Sequence, residues 1–306
     1  MKNHIENLQT QINNGGWRGV PEFFSRLIHR KLLPERRGTP IWEREWDLLI
    51  ILDACRYDLL EEVYGEFDFV TSVEQHRSVG SASIEWMERT FTEEYSESIN
   101  KTCYITANPF SEEVVSTSQF ARLEEVWRYG WDSDVGATPP RPVTDTAISA
   151  GRSNNNWEQL IVHYMQPHVP FLDYRNDEMS YSEFRRRDTR RLGENWNQVL
   201  HQLQRQEMPY KQFWDRYKSN LELVLSEVKK LLYNFDAENV AISSDHGNAL
   251  GERWMYGHPS RVDIPCLRVV PWSTTTATDS KEYTPDDYDQ GSKADRERQL
   301  SALGYQ

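Results

Sequence analysis

Acidic and histidine side chains follow two apolar segments of the sequence. Asp53 comes directly after the run 48–52, and Asp245 and His246 are neighbours in "ISSDHGNALGE". Carboxylate oxygens and imidazole nitrogens are ligands for divalent metal ions, and crowded acids without a cation would repel each other. We therefore predict that Asp53, Asp245 and His246 bind one divalent ion. The histidine favours Mn, Zn or Mg over Ca.

Three further histidines occur near the ends of predicted strands. His163 and His168 flank the end of an apolar segment in "IVHYMQPHVPF", and His258 lies in "MYGHPS". Taken singly, such residues have ordinary interpretations. An Asp after a strand is more often a helix cap than a ligand, and a lone histidine in a loop is usually solvated. Their joint occurrence favours a shared site.

Serine residues could supply a nucleophile to this site. Ser78, Ser81 and Ser83 occur in "HRSVGSASIEWMERTF", where a helix is predicted to begin. A bound cation can lower the pKa of a coordinated hydroxyl, and the first amides of a helix attract anions such as phosphate or sulfate. Capping of the helix by one of these serines is the alternative that the sequence leaves open.

Apolar runs alternate with helical patterns along the chain. The run 48–52 predicts a strand buried on both faces, and the spacing of Tyr57, Leu60 and Val63 predicts a helix directly after it. Further strands are predicted in "FDFVTSV", "TCYITAN", "EQLIVHYM", "NVAISSD" and "IPCLRVVPW". This alternation predicts a single-domain α/β fold with a mostly parallel central sheet and helices on both faces. Ligands of such sheets bind at the carboxyl ends of the strands.

The predicted α/β domain spans residues 41–272. Residues 1–40 are predicted to form an N-terminal helical extension, in which "VPEFFSRLIHRKLL" has amphipathic spacing. The polar and charged segment 173–207 is predicted to be an insertion in the domain. Residues 273–306 are predicted to form a C-terminal tail.

Composition restricts the classes of partner and the location. The formal net charge of −13 opposes nonspecific binding to nucleic acid. The three cysteines are far apart and odd in number, so they predict no disulfide framework. No membrane span is predicted, because no apolar run reaches about 18 residues. The start of the chain lacks an apolar leader, so the predicted location is the cytoplasm.

Taken together, these residues resemble the alkaline phosphatase and sulfatase superfamily. "SDHGNALGE" followed by "GHP" and "IPCLRVVPW" is similar to the late block of sulfatase-like hydrolases and of phosphoethanolamine or lipoteichoic-acid transferases. "MQPHVPF" is similar to their H-x-P-F/Y element, and "WDLLIILDACRYD" is most similar to archaeal sulfatase-like proteins. The resemblance covers roughly residues 45–272 and implies an alkaline phosphatase-like fold.

The resemblance implies a role for each matching acid and histidine. Asp53, Asp245 and His246 match metal ligands. His168 matches a histidine that contacts the substrate anion or the leaving group. His258 matches a histidine that binds either substrate or a second metal.

The nucleophile position of the family favours Ser83, with Ser81 as the alternative. Arg56, one turn from Asp53, is a candidate for neutralising an anionic substrate. The chain lacks the C-x-P-S-R or S-x-P-S-R element of sulfatases, and Ala54 occupies the position of their second early Asp. These departures favour phosphate-ester chemistry by an unmodified hydroxyl.

The predicted function is that of a metal-dependent hydrolase or transferase of phosphate or sulfate esters with a serine nucleophile. The predicted partner is a small anionic ester, including esters linked to a glycan or a lipid. The alternative is a catalytically inactive, sulfatase-like binding or scaffold protein in a surface-glycan pathway. The missing sulfatase element keeps that alternative open.

Overall fold

A seven-stranded sheet lies at the centre of the structure, a computed structural model that describes residues 16–133, 135–153, 156–172, 196–288 and 299. The strands of this sheet are β1 Leu48–Leu52, β2 Glu74–Arg77, β3 Thr102–Thr106, β4 Arg122–Glu125, β5 Gln159–Tyr164, β6 Ala237–Ser243 and β9 Val269–Ala277, and a separate hairpin consists of β7 Ala249–Leu250 and β8 Tyr256–Gly257. The order across the sheet is β2-β9-β6-β1-β5-β3-β4. The five strands from β6 to β4 are parallel, and β9 is antiparallel to both of its neighbours.

Helices cover both faces of this sheet. They are α1 Gly19–Lys31, α2 Tyr57–Val63, α3 Ser83–Thr90, α4 Ser96–Asn100, α5 Ser111–Val114, α6 Pro140–Arg152, α7 Trp196–Gln204, α8 Tyr210–Leu232 and α9 Pro265–Arg268. Alternate residues of β1 belong to two different cores: Leu48, Ile50 and Leu52 pack with α2, α6 and α8, whereas Leu49 and Ile51 pack with α3 and α4. The predicted single domain with a mostly parallel sheet is therefore confirmed.

The register of β1 brings the predicted site residues to one edge of the sheet. Ile51 is paired with His163 of β5 on one side and with Ser243 of β6 on the other. Asp53 leaves β1 two residues later, and Asp245 leaves β6 two residues after Ser243. Because parallel strands end on the same side of the sheet, these side chains meet at its carboxyl edge.

Two predicted strands differ from the observed elements. The segment 67–73, "FDFVTSV", forms no strand, and β2 instead occupies the polar residues directly after it. β2 is an edge strand held by pairing with β9, so its position depends on a partner almost 200 residues away rather than on its own apolar pattern.

"IPCLRVVPW" also divides differently from the prediction. Its first part forms the short helix α9, and β9 then continues to Ala277, into the segment predicted as a tail from residue 273. Pairing with β6 extends this strand beyond its apolar half. The domain boundaries otherwise stay a prediction, since 1–15, most of the predicted insertion (173–195) and most of the predicted tail after 288 lie outside the described residues.

Within the described part of the chain, every helix is too short or too polar to cross a membrane.

Candidate metal centre and active site

Three buried side chains from neighbouring strands point potential metal-binding atoms at one another. Ligand atoms of Asp53, His163 and Asp245 all lie within 4.8 Å of one another, and none of the three side chains is exposed. Oδ1 of Asp53, Oδ2 of Asp245 and Nε2 of His163 have no hydrogen-bond partner. Buried polar atoms are normally satisfied, so three orphaned atoms in one place indicate a missing ligand.

The remaining oxygens of the two carboxylates are held by hydrogen bonds. Oδ1 of Asp245 accepts from the backbone N–H of Ala54 at 3.0 Å and from that of His246 at 2.8 Å. Oδ2 of Asp53 accepts from the Asn108 side-chain amide at 2.9 Å. Each acid is thus oriented through one oxygen, and its other oxygen is left facing the shared space.

His246 also faces the two carboxylates. Its Nδ1 lies 2.7 Å from the carbonyl oxygen of Gly247, which can only accept, so Nδ1 carries the proton. Nε2 then presents a lone pair at 3.4 Å from Oδ2 of Asp245 and 3.7 Å from Oδ1 of Asp53. Lone pairs of three such atoms repel one another unless a proton or a cation lies between them.

The pKa shifts of these side chains also favour a cation between them. Burial, and next to it the charge of Asp245, raise the pKa of Asp53 well above its ordinary value. Burial also raises the pKa of Asp245, but nearby His246 and His163 outweigh this effect and its net shift is downward. Burial lowers the pKa of His163 to about 4, so this imidazole is neutral at pH 7 and can act as a metal ligand.

The donor set fits a divalent transition metal. Two carboxylates and one or two imidazoles are the mixture that Zn or Mn sites use, whereas Ca prefers oxygen alone. The structure brings together all three predicted ligands, Asp53, Asp245 and His246. It adds His163, which the sequence places near a strand end without marking it as a ligand. A histidine inside an otherwise apolar, buried strand was the available signal.

Ser83 lies directly beside these ligands. It is the first residue of α3, where Ala82 is the capping position and makes no side-chain cap. Its Oγ is 3.3 Å from Oδ2 of Asp53 and 3.1 Å from Nε2 of His246. The Ser83 hydroxyl therefore contacts the candidate metal ligands rather than capping α3. The positive end of the α3 dipole also lies at Ser83.

The other two serines are engaged elsewhere. Ser81 Oγ donates to Glu85 Oε2 at 2.8 Å or to the Pro259 carbonyl at 2.9 Å, and accepts from the Val262 N–H at 3.2 Å. Ser78 Oγ donates to the Asp245 carbonyl and accepts from the Gly80 N–H. Both hydroxyls hold loops together, so the geometry favours Ser83 over Ser81 as the nucleophile.

His168 and His258 form a second group next to the acids. Nδ1 of His168 lies 2.7 Å from the Val169 carbonyl, so its Nε2 presents a lone pair at 3.0 Å from Nε2 of His258. Either a proton on His258 Nε2 or a cation must lie between the two nitrogens. The His258 ring stacks on His246 with 4.6 Å between centroids, which joins this pair to the metal ligands.

Burial keeps both of these imidazoles neutral. It lowers the pKa of His168 to about 4, and it lowers that of His258 well below the ordinary value, with His246 and His168 adding to the effect. His258 is 9% exposed and is the least buried member of the cluster. His258 is therefore the member of the cluster that lies nearest to solvent.

Arg56 lies outside this cluster. Its guanidinium forms a two-bond salt bridge with Asp58, a second one with Glu252 and a hydrogen bond to the Asn248 carbonyl. Two carboxylates already neutralise it, which leaves little charge for a substrate anion. Arg56 instead lines a cavity of about 390 Å³ together with Cys266, and its predicted role stays a prediction.

Two asparagines that the sequence did not single out position the site. Asn108, two residues after β3, orients Asp53. Asn220 of α8 donates to the carbonyls of Pro167 and His168, both at 3.0 Å, and so holds the loop that carries His168. No local pattern marks either residue, because each acts on a segment about 50 residues away.

Ala54 occupies a strained conformation at the turn after Asp53. Its φ of 58° lies in the left-handed region that disfavours a Cβ. This conformation directs its N–H to Asp245 and its carbonyl to the Tyr217 hydroxyl.

We expect Ala54→Gly to change the free energy of unfolding by less than about 1 kcal/mol, because relief of strain offsets the added entropy of the unfolded chain. Ala54→Val should cost about 2 kcal/mol or more, since a branched side chain tolerates positive φ least. Urea unfolding measures both. Ala147→Gly in the middle of α6 is the control and should cost about 1 kcal/mol or more. A larger cost for Ala54→Gly than for the control would contradict the strain.

No protein-family model matches the sequence, and the search of curated proteins finds no match. Solved structures do match. The C-terminal periplasmic domain of phosphoethanolamine transferase EptC from Campylobacter jejuni is 16% identical, with a TM-score of 0.48 over 76% of this chain and 79% of that one. The corresponding domain of EptC from Escherichia coli, in complex with Zn, is 13% identical with a TM-score of 0.46, over 86% and 82%.

The soluble domain of lipooligosaccharide phosphoethanolamine transferase A from Neisseria meningitidis is 12% identical, with a TM-score of 0.48 over 78% of both chains. Sulfatases and a protein of the alkaline phosphatase superfamily are also among the matched structures. All these TM-scores lie below 0.5, so the activity of this chain has to be argued from its own residues.

These comparisons correct two predictions from the sequence. The cytoplasmic location is wrong by this measure, because the matched Campylobacter and Escherichia structures are periplasmic domains. The archaeal qualifier is wrong as well, since the matched transferases come from Escherichia coli, Campylobacter jejuni and Neisseria meningitidis. The residue motifs used in the sequence analysis do not report the location or the source of a protein.

Proposed function

We propose that the protein is a metal-dependent transferase or hydrolase of phosphate esters, with Ser83 as its nucleophile. The observation that carries this proposal is the position of the Ser83 hydroxyl, 3.3 Å from Asp53 and 3.1 Å from His246. A helical capping role would not need either contact. An unmodified serine, in a chain without the sulfatase element, favours phosphate over sulfate esters.

Asp53, Asp245, His246 and His163 would hold the cation. A divalent ion at these atoms would lower the pKa of the Ser83 hydroxyl and offset the charge of an incoming anionic ester. The backbone N–H groups at the start of α3 face the same space and suit the anion. Binding of the ester next to Ser83 therefore requires no further basic side chain, which agrees with the neutralised state of Arg56.

In this proposal Ser83 Oγ attacks the phosphorus atom. A bond from Oγ to phosphorus forms, the bond from phosphorus to the leaving oxygen breaks, and the proton given up by the Ser83 hydroxyl is taken up by the leaving oxygen. An acceptor hydroxyl or water then attacks the phosphorylated serine and releases it. His168 and His258 present ring nitrogens next to the centre, so one of them can accept a hydrogen bond from that second nucleophile and orient it, while its proton passes to Ser83 Oγ as the serine is released.

Removal of one metal ligand tests the proposal. We expect His246→Ala to lower the affinity for Zn or Mn by at least about 10- to 100-fold, the range caused by the loss of even outer residues of metal sites. Turnover of an aryl phosphate should fall with it and recover at most partly with excess metal. Elemental analysis and a phosphatase assay measure the two effects.

A control variant outside the centre is His76→Ala, because His76 lies on the edge strand β2 and its ring packs against Trp272 at 4.9 Å between centroids. It should leave the metal content and turnover unchanged. A purified chain that holds no divalent ion and hydrolyses neither phosphate nor sulfate esters would instead support the inactive binding protein.

A further inference from the structure

Helix α1 exposes apolar side chains where a surface helix normally exposes polar ones. Among the described residues nine large apolar side chains are exposed, and five of them lie between 17 and 33. These five, here called the apolar stripe, are Trp17, Phe24, Ile28, Leu32 and Leu33. Trp17 is 72% and Leu32 75% exposed. A contiguous exposed apolar patch on a soluble domain usually marks an interaction surface.

The spacing places most of the stripe on one face of the helix. Phe24, Ile28 and Leu32, the C-terminal cap of α1, are separated by four residues each and align on one face of the helix, and Trp17 lies in the 3-10 turn Gly16–Arg18 directly before α1. The opposite face carries Glu22 and His29, and both are buried. The helix thus has a defined inner face and a defined outer face.

Polar contacts attach the inner face to the body. Ser25 Oγ donates to the Arg253 carbonyl at 2.7 Å, Arg26 Nη2 to the Tyr256 carbonyl at 3.0 Å and Arg30 Nε to the Ser260 carbonyl at 2.9 Å. Glu22 accepts from Arg26 and from Gln204 of α7. Because these bonds fix the rotation of α1, the apolar stripe points outward as a consequence of the fold.

The net charge of the segment around the apolar stripe is opposite in sign to that of the whole chain. Residues 16–37 contain six basic and two acidic side chains, in a chain whose net charge is −13. Arg30, Lys31, Arg36 and Arg37 are exposed next to the stripe. Both acids are engaged in salt bridges, Glu22 with Arg26 and Glu35 with Arg89 and Arg268. Arg37 also pairs with Glu43 at 3.4 Å, so Arg30, Lys31 and Arg36 carry most of the exposed positive charge of this segment.

We propose that residues 17–37 dock the protein on a membrane surface that contains anionic lipids. An apolar face with Trp, Phe and Leu flanked by Lys and Arg is the composition of helices that lie in the plane of a lipid interface. Trp17 suits the level of the lipid head groups. The basic side chains favour anionic lipid over a neutral surface, and over a second copy of this acidic chain.

Docking in this way would bring the active site close to the membrane. Arg26 and Arg30 of α1 hold the carbonyls of Tyr256 and Ser260, two residues on either side of His258. His258 in turn contacts His168 and stacks on His246, beside the proposed metal ligands. This inference does not depend on the chemistry proposed for Ser83, but it would allow that chemistry to reach an ester anchored in the lipid.

Flotation with lipid vesicles tests the proposal on the full chain. We expect binding to phosphatidylcholine vesicles that contain phosphatidylglycerol, on the order of 10- to 100-fold weaker binding to phosphatidylcholine alone, and weaker binding at high salt. The triple variant Phe24→Ser/Ile28→Ser/Leu32→Ser should lose binding and keep its circular dichroism spectrum, because all three side chains are exposed. Lys31→Glu/Arg37→Glu should lose the preference for the anionic lipid.

Tyr233→Ser is the matched control, since Tyr233 is an exposed apolar residue outside the stripe, and it should bind like the wild type. Ser83→Ala should also bind normally, which separates this inference from the proposed reaction. The absence of binding to vesicles of either composition would overturn the proposal. So would a dimer in lipid-free solution that the triple variant converts to a monomer, because the stripe would then be covered by a second copy.

Discussion

Ser83→Ala is expected to reduce phosphate-ester turnover by roughly 10⁴-fold or more, the scale of loss when a covalent nucleophile is removed. The change deletes a hydroxyl that contacts both Asp53 and His246. The proposed metal ligands Asp53, Asp245, His163 and His246 are untouched, so binding of the cation should remain. Single-turnover kinetics with an aryl phosphate, together with elemental analysis of the same sample, measure both effects.

Ser81→Ala is the matched control for this prediction. Ser81 Oγ contacts Glu85 and the Pro259 carbonyl and accepts from Val262. Its loss leaves buried groups unsatisfied and should lower the free energy of unfolding by about 1–3 kcal/mol. Turnover per folded molecule should stay within a few-fold of the wild type. If Ser81→Ala abolished turnover and Ser83→Ala did not, the nucleophile would be Ser81 and the proposed geometry would be wrong.

Asp53→Asn is expected to stabilise the metal-free protein and to abolish its stabilisation by metal. In the metal-free state the buried carboxylates of Asp53 and Asp245 face the same space, and Asp53 Oδ1 has no partner. A neutral amide of the same shape removes the repulsion and can donate to the His246 lone pair. We expect a gain in the free energy of unfolding on the order of 1–3 kcal/mol.

The wild type should gain stability from the cation instead. A ligand present at about 100 times its dissociation constant stabilises the folded state by about 2.7 kcal/mol. Thermal unfolding with a chelator and with added Zn or Mn measures this difference, and Asp53→Asn should show almost none of it. A variant that is destabilised without metal, and still stabilised by it, would place the cation elsewhere.

Asp145→Asn provides the control for a buried acid outside the centre. Both oxygens of Asp145 accept from tyrosine hydroxyls, those of Tyr283 and Tyr288, each at 2.7 Å. The amide cannot accept from both, so this variant should be less stable than the wild type. Its stabilisation by metal should be unchanged.

Features that depend on neighbouring residues could be predicted from local residue patterns. A continuous apolar run such as 48–52 has only one common explanation in an alternating α/β pattern, a strand buried on both faces, and β1 is buried at every position. The direction of such strands then fixes that Asp53 and Asp245 leave the sheet at the same edge. Local periodicity reports burial and turns, which is why these predictions could be made without a structure.

Features that depend on distant residues could be assigned only from the folded chain. The sequence left Ser81 open as the alternative to Ser83, and the two differ in the structure because Glu85 and Pro259 engage Ser81 while Asp53 and His246 contact Ser83. The neutralisation of Arg56 by Glu252 was equally invisible, because the two residues lie almost 200 positions apart.

Strand pairing is a further feature that local residue patterns could not predict. The extent and the antiparallel direction of β9 follow from its contacts with β6 and β2 and not from its own residue pattern. Hydrogen bonds and ion pairs between remote segments are short-ranged and directional, so a side chain acquires its role only when the whole chain has folded around it.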